Sequence, residues 1–373
     1  MKRSVPFGKP LVKSSRIRVI PMSQRSVILF HSAVKSEKTK DLYNYYLEQF
    51  RKYFIIKDFD SLLSIDSKKL QVMVEDFILY QRREGKSYGT CGGFVSSLSL
   101  FFSMNDIIIN WQKIKKMLPE KTKPTGDKPY TTDQIRQVLR NTTNLKFKAM
   151  INFMASSGVR IGSFEEMRMK DLENFKDGCK SVKVYADSRE EYYTFIHAEA
   201  LQALEEYFES RKKKGEKITS DSWVFCKEHD PTKPILPRNA VSSLTRFVGM
   251  ALNRTKTKTR FDTMASHGFR KRFNTILKSN KEINSNIGEK LMGHSTTIKL
   301  DESYFKPTLE VIFDEYQKAI PELVIDESAR LRLELEKKNQ KLSSMEVKDR
   351  RIEQLENVVL GLEKNMNELK SRF

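Results

Sequence analysis

From Ser36 onward, apolar residues recur at steps of three and four. In SEKTKDLYNYYLEQFRKYF they fall at Leu42, Tyr46, Leu47 and Phe50, and the opening serine with its acidic and polar neighbours resembles a helix start. DSKKLQVMVEDFILYQRR and SYGTCGGFVSSLSLFFSMN repeat that length on either side of Gly85, so a small domain of three or four helices is predicted over 36–117. Leu118 to Tyr130, LPEKTKPTGDKPY, gathers prolines, a glycine and lysines with almost nothing apolar, as an interdomain linker does. A second domain is predicted over 131–320. It opens with helical patterns, TTDQIRQVLRNT and LKFKAMINFMASSG, and then changes period. SVKVYADSREEYYTFI predicts two strands, with Val182, Val184 and Tyr185 before a polar tip at Ala186 to Glu190 and Tyr192 to Ile196 after it. Helical segments resume at Glu199 and, past a proline-rich break at Pro231 to Pro237, run to Ala319.

The two ends differ from this body. Residues 1–35 carry Lys2, Arg3, Lys9, Lys13, Arg16, Arg18 and Arg25 among prolines and serines without a helical apolar period, which predicts a mobile basic arm. Residues 321–373 shift to Leu, Glu, Lys and Asn. There Ile352, Leu355, Val359, Leu362, Met366, Leu369 and Phe373 alternate in steps of three and four, the seam of a coiled coil. Leu331, Leu335, Leu342 and Met345 suggest the same seam upstream, with a break in phase near Ile352; a solvated single helix is the plainer alternative. The pattern leaves the number of strands open. The fold class is therefore mostly α with a small β-hairpin or sheet.

Charge narrows the partner. A formal net charge of +20 repels itself unless an anionic partner absorbs it, which points to nucleic acid or an anionic membrane surface. No apolar run approaches the roughly 20 residues that cross a bilayer, and VILF at Val27 to Phe30 is far shorter. Cys91, Cys179 and Cys226 are odd in number and widely separated, which argues for a reducing interior and against a disulfide framework. Cys226 and His229 form a lone C-x-x-H, and a structural zinc site needs a second pair. The acid-free opening fits a transit peptide on composition alone, and fits a basic arm at least as well.

Four clusters in the second domain carry candidate chemistry: SSGVRIGS with Arg160, SHGFRKRF with His267 and Arg270, LMGHS with His294, and ESYF with Tyr304. Each alone has a plain explanation, such as a surface arginine, a helix-capping histidine or a packed aromatic. Together they describe one kind of site. A phosphodiester under attack develops negative charge on its nonbridging oxygens, which two arginines can hold bidentately. A tyrosine hydroxyl suits the attack, because a phosphotyrosyl linkage keeps the energy of the broken bond for religation. Histidines move protons near neutral pH.

The order Arg, H-x-x-R, G-H, Tyr resembles the tyrosine recombinase (phage integrase) family. By motif the resemblance covers Tyr130 to about Lys306; the preceding helices are similar to that family's core-binding (SAM-like) DNA-binding domain in architecture alone. GVRIGSFEEMRMKDL resembles the family's G-x-R-x-x-E-L-x-x-L-x-x-x-D, with Phe164 and Met167 at apolar positions and Asp171 and Leu172 closing it. Ser163 stands at the family's glutamate, so Glu165 or Glu166 would have to substitute. HGFRKRF matches H-x-L-R with Phe269 for leucine, and LMGHS matches L-G-H with Met292 inserted. The family's lysine on the strand-turn-strand has no direct counterpart in ADSREE. Arg189 at the turn is preferred for its location, although its high pKa makes it the poorer proton donor, and Lys183 on the preceding strand is close behind. YYTFIHAEALQAL and LDESYFKP resemble integrases of archaeal viruses and plasmids.

The resemblance implies a helical core-binding domain and an α+β catalytic domain, to which the apolar spacing of residues 321–373 adds a C-terminal coiled coil. It implies a DNA-associated cytoplasmic enzyme acting as a homotetramer on two double-stranded recombination sites, with neither cofactor nor metal, since arginines supply the positive charge. Lys121, Lys123 and Lys128 are expected near DNA phosphates, and the coiled coil is expected to support assembly or recruit another protein. The favoured task is integration or excision of a mobile element. Alternatives are Xer-like dimer resolution, a type IB topoisomerase, and a DNA-binding protein whose catalytic site has decayed.

Overall fold

The computed structural model describes residues 25–121, 128–256, 260–294 and 305–370. The chain divides into two compact units, Met1–Pro124 and Thr125–Phe373.

The first unit is helical: α1 (Arg25–Ser32), α2 (Glu37–Tyr53), α3 (Phe59–Leu63), α4 (Ser67–Arg83), α5 (Tyr88–Met104) and α6 (Trp111–Lys116). Helix α5 is its centre and packs against α1, α2, α4 and α6. Its start is fixed by Ser87, whose hydroxyl accepts the Thr90 N–H. A Cβ on Gly93 would fall 2.6 Å from the tip of the Tyr46 ring, so this ring of α2 packs directly onto Gly93 of α5 and would have to shift for a larger residue. Phe50, Phe77, Phe101 and Phe102 are fully buried, and Phe77 meets Phe50 and Phe94 edge to face. Of the residues that mark α2 in the sequence, Leu47 and Phe50 are buried, whereas Leu42 is 48% exposed.

Order begins earlier than the charge pattern predicts. Residues 25–32 form α1, with Val27 and Phe30 in the core and the Ser26 N–H bonded to Asp60 at 3.1 Å. The four consecutive apolar residues Val27 to Phe30 show no helical period in the sequence, and so short a helix is held by tertiary packing rather than propensity. Residues 1–24 of the predicted arm lie outside the described residues.

The second unit contains α7 (Thr132–Arg140), α8 (Leu145–Ser157), α9 (Ala198–Lys213), α10 (Pro237–Ala251), α11 (His267–Ser279), α12 (Ser285–Leu291), α13 (Leu309–Leu323) and α14 (Glu327–Lys370). Helix α8 is buried along most of its length between α9 and α11. Beside it lies an antiparallel sheet in the order β1 (Leu172–Asn174), β2 (Lys180–Val184), β3 (Tyr192–Ile196). Val184 pairs with Tyr192 and Lys183 with Tyr193, so Tyr192 shares the face of the buried Val184 and Lys183 takes the other. A second hairpin, β4 (Cys226–Lys227) with β5 (Asp230–Pro234), occupies a stretch without strand alternation in the sequence. Cys226 is buried there with its sulfur 3.4 Å from the Tyr207 hydroxyl. Among the described residues no group of three or more His, Cys, Asp or Glu is placed to hold a metal, and no helix is long and apolar enough to cross a membrane.

The boundary predicted at residue 321 falls inside a helix. Pro321 sits in the last turn of α13, where its missing N–H removes only one bond, and Leu323, Val324 and Ile325 are buried. The Ile325 and Asp326 N–H groups bond the Glu199 carboxylate at 2.8 and 2.9 Å, and Arg136 Nε donates to the Ile325 carbonyl at 3.1 Å. Beyond this joint α14 is one continuous helix of 44 residues, with Leu331, Leu335, Leu342, Met345, Ile352, Leu355, Val359 and Leu362 all more than half exposed.

Candidate active site

Helix α8 ends at Gly158, which takes the left-handed conformation (φ +64°) and turns the chain toward Arg160. A Cβ there would lie 2.3 Å from the Phe273 ring, so both conformation and packing require glycine. Arg160 follows in extended conformation, half-buried, and leads into a 3₁₀ turn over Ile161–Glu165. Ser163, at the position of the family's glutamate, is buried and donates its hydroxyl to the Arg160 carbonyl at 2.8 Å. It anchors the arginine's backbone without contributing a charge. Phe164 and Met167 are buried, and Asp171 accepts the Arg168 N–H at 2.7 Å, so the rest of that motif is a structural brace.

Helix α11 begins at the exposed His267 and presents Arg270 one turn later. Arg270 is buried (6% exposed). Its Nη1 donates to the Gly158 carbonyl at 2.7 Å and its Nη2 to the Met292 carbonyl. One guanidinium therefore ties the turn that carries Arg160 to the turn that carries His294. Burial pulls the Arg270 pKa below its ordinary value, with Tyr192 opposing.

The third turn follows α12. Gly293 has φ +57°, and the His294 N–H returns to the Glu289 carbonyl at 3.0 Å. His294 Nδ1 meets Glu289 Oε2 at 2.6 Å, while Lys278 Nζ meets Oε1 at 2.5 Å. Burial works to raise the Glu289 pKa, but its bonds to Lys278 and His294 outweigh that and hold the carboxyl below the usual range. A carboxylate on Nδ1 makes that nitrogen the donor, which fixes the ring and leaves Nε2 for other work.

Arg160, Arg270 and His294 thus converge through the backbone groups around them. Lys183 and Arg189 do not join them. Lys183 lies 3.7 Å from Glu191 and over the Tyr193 ring, on the hairpin face opposite Tyr192, and its bond to Tyr193 raises its pKa. Arg189 is exposed at the hairpin tip. Lys121 and Lys128 are exposed, and Lys128 is 3.9 Å from Asp262. Tyr304 and Lys123 lie outside the described residues.

Residues 129–308 match the model of the phage integrase family. The second unit carries a phage integrase domain. No curated protein matches the chain. Among solved structures, the Tn1549 transposon integrase in complex with transposon right end DNA is 16% identical, with 79% of this chain and 98% of that one covered and a TM-score of 0.53. The same integrase with a circular intermediate DNA gives 18%, 79%, 99% and 0.52. A lambda integrase dimer bound to a COC′ core site gives 17%, 76%, 93% and 0.50. At such identities the likeness is one of fold.

The integrase domain also contains partners that motif spacing does not reveal. Glu289 lies five residues before His294, across a helix end and a glycine turn, a separation with no periodic signature. Tyr192 stands on the Arg270 side of the hairpin because of the β2–β3 register, and a one-residue slip would turn it away.

Proposed function

We propose that the chain is a site-specific DNA recombinase that cuts and rejoins DNA through a 3′-phosphotyrosyl intermediate on Tyr304. The observation that carries this reading is the double anchor of Arg270, which joins the Arg160 and His294 turns as a ready phosphate cradle. In the proposed reaction Arg160, Arg270 and His294 hold the nonbridging oxygens while the Tyr304 hydroxyl attacks phosphorus and the bond to the 5′ oxygen breaks. His267 assists proton movement. The leaving oxygen needs a proton, for which Arg189 and Lys183 are the candidates. Neither stands beside the cradle in the DNA-free chain, and the orientation of Lys183 toward Glu191 favours Arg189, exposed at the hairpin tip, as the one to reach bound DNA. The 5′ hydroxyl of a second duplex then attacks the phosphotyrosine and releases Tyr304. Each step exchanges one phosphoester for another, so ATP is not required.

The net charge of +20 supports double-stranded DNA as partner. Phosphate contacts by Lys121, Lys123 and Lys128 would make affinity fall steeply with salt. A homotetramer on two duplexes is the working assembly, and the exposed stripe of α14 supports a coiled coil that helps build it or recruits another protein. The basic arm and long helix favour a mobile element's integrase over dimer resolution, and YYTFIHAEALQAL and LDESYFKP resemble integrases of archaeal viruses and plasmids.

The test is strand joining between two marked duplexes carrying candidate attachment sites. Joined product is expected; relaxation of supercoils without joining would indicate a topoisomerase. A chain truncated after Asp326 keeps the buried Leu323 to Ile325 joint and is expected to fold, yet to form smaller assemblies and less joined product. Unchanged multimer size and joining would remove α14 from the account.

A further inference from the structure

One buried side chain beside the cradle has no place in the scheme above. Tyr192, on β3, is 9% exposed, and its buried hydroxyl has Arg270 as its hydrogen-bonding neighbour, at a geometry short of a well-aligned bond. A buried hydroxyl with so imperfect a bond is costly enough to need a reason. Its surroundings supply one. Burial pushes the Tyr192 pKa up, and Arg270 foremost, then Arg160, pull it back, which puts both guanidinium groups in its neighbourhood. Its ring also lies against Gly293, where an added Cβ would come within 2.3 Å of it. Next to it, at 6.4 Å between ring centroids, is Tyr185, a non-glycine residue with φ +55°. That conformation is unusual for an aromatic residue and is maintained only where surrounding structure imposes it. The Tyr185 hydroxyl in turn reaches to 3.8 Å from the place of a Cβ on Gly162, two residues beyond Arg160. The two tyrosines thus run from the Arg160 turn to the Gly293–His294 turn along the inner face of the β2–β3 hairpin.

We propose that Tyr192 is a positioning residue, whose hydroxyl accepts a hydrogen bond from Arg270 and so orients its guanidinium toward a bound phosphate, and whose ring sets the height of the Gly293–His294 turn. Arg270 spends one donor on each of two backbone carbonyls, and the remaining donors are those that would face the phosphate. The Tyr192 oxygen is the side-chain acceptor that fixes the plane of that fork. This role rests on the recombinase reading.

The experiment is single-turnover formation of the covalent protein–DNA adduct at saturating nicked duplex, with the full chain, Tyr192→Phe, Arg270→Lys and the double variant, together with DNA affinity. The expected result for Tyr192→Phe is a rate about tenfold lower at unchanged affinity, the loss of one hydrogen bond to a charged group. Because the effect passes through Arg270, the double variant should be no slower than Arg270→Lys alone. A Tyr192→Phe rate equal to that of the native chain, or losses that multiply in the double variant, would overturn the proposal and leave the recombinase reading intact. An absence of adduct from the native chain on every substrate would overturn that reading, and this role with it.

Discussion

Arg270→Ala should lower the rate of DNA cleavage at least 100-fold, measured as single-turnover adduct formation at saturating DNA. Removal of one preorganised donor from a site of developing negative charge typically costs two to three orders of magnitude. Arg270 also fixes where the neighbouring groups stand, since it holds the carbonyls of Gly158 and Met292. The alanine variant leaves both without that partner and frees the Arg160 and His294 turns from each other. Arg270→Lys separates charge from geometry: it keeps the positive charge and loses the planar fork. It should recover DNA affinity while recovering little of the rate. A lysine variant within threefold of the native rate would show that charge alone suffices.

Arg272→Met should destabilise the second unit by about 3 kcal/mol while leaving the cleavage rate per folded molecule nearly intact. Two residues along a helix is a rotation of roughly 200°, so Arg270 and Arg272 leave α11 on nearly opposite sides. Arg272 is 4% exposed and donates to the Glu322 carbonyl at 2.6 Å, the Leu323 carbonyl at 3.3 Å and the Thr132 hydroxyl at 3.1 Å. Burial pulls its pKa down to about 10, with Glu199 and Glu322 opposing. Methionine fills much of the volume but donates nothing, so the end of α13 loses its brace. Urea denaturation should show a lower midpoint with the same slope. A cleavage defect as large as that of Arg270→Lys, with stability unchanged, would contradict this division of labour within one motif.

How much of this was legible beforehand depends on the kind of interaction. The β2–β3 hairpin was readable because its apolar residues flank a polar tip, and α8 because its apolar residues recur with helical period. Arg160, Arg270 and His294, which the fold sets on adjoining turns, stand in the sequence only as separate motifs in a fixed order. Helix α1 was not readable, because Phe30 gains its meaning from Phe101, a contact far away in sequence, and Val27 from the same core. The β4–β5 hairpin was hidden because its strands are short and polar. The joint at residues 321–325 was misread because a proline in a last turn costs one backbone bond, not a helix. Within the site, Ser163 read as a missing carboxylate, whereas its hydroxyl bonds the backbone of Arg160. Glu289 and Tyr192 act through a turn and a strand register, which spacing does not encode.

The central claim is that Tyr304 becomes covalently joined to DNA, and covalent trapping tests it most directly. The native chain and Tyr304→Phe are incubated with a nicked duplex carrying candidate attachment DNA, in several sequences, and the products are resolved under denaturing conditions. The account predicts an adduct that resists detergent with the native chain and none with Tyr304→Phe, with both binding the duplex equally and in a salt-sensitive way. Equal adducts from both would place the nucleophile elsewhere in the chain, and tight binding without any adduct would mark a DNA-binding protein that no longer cuts.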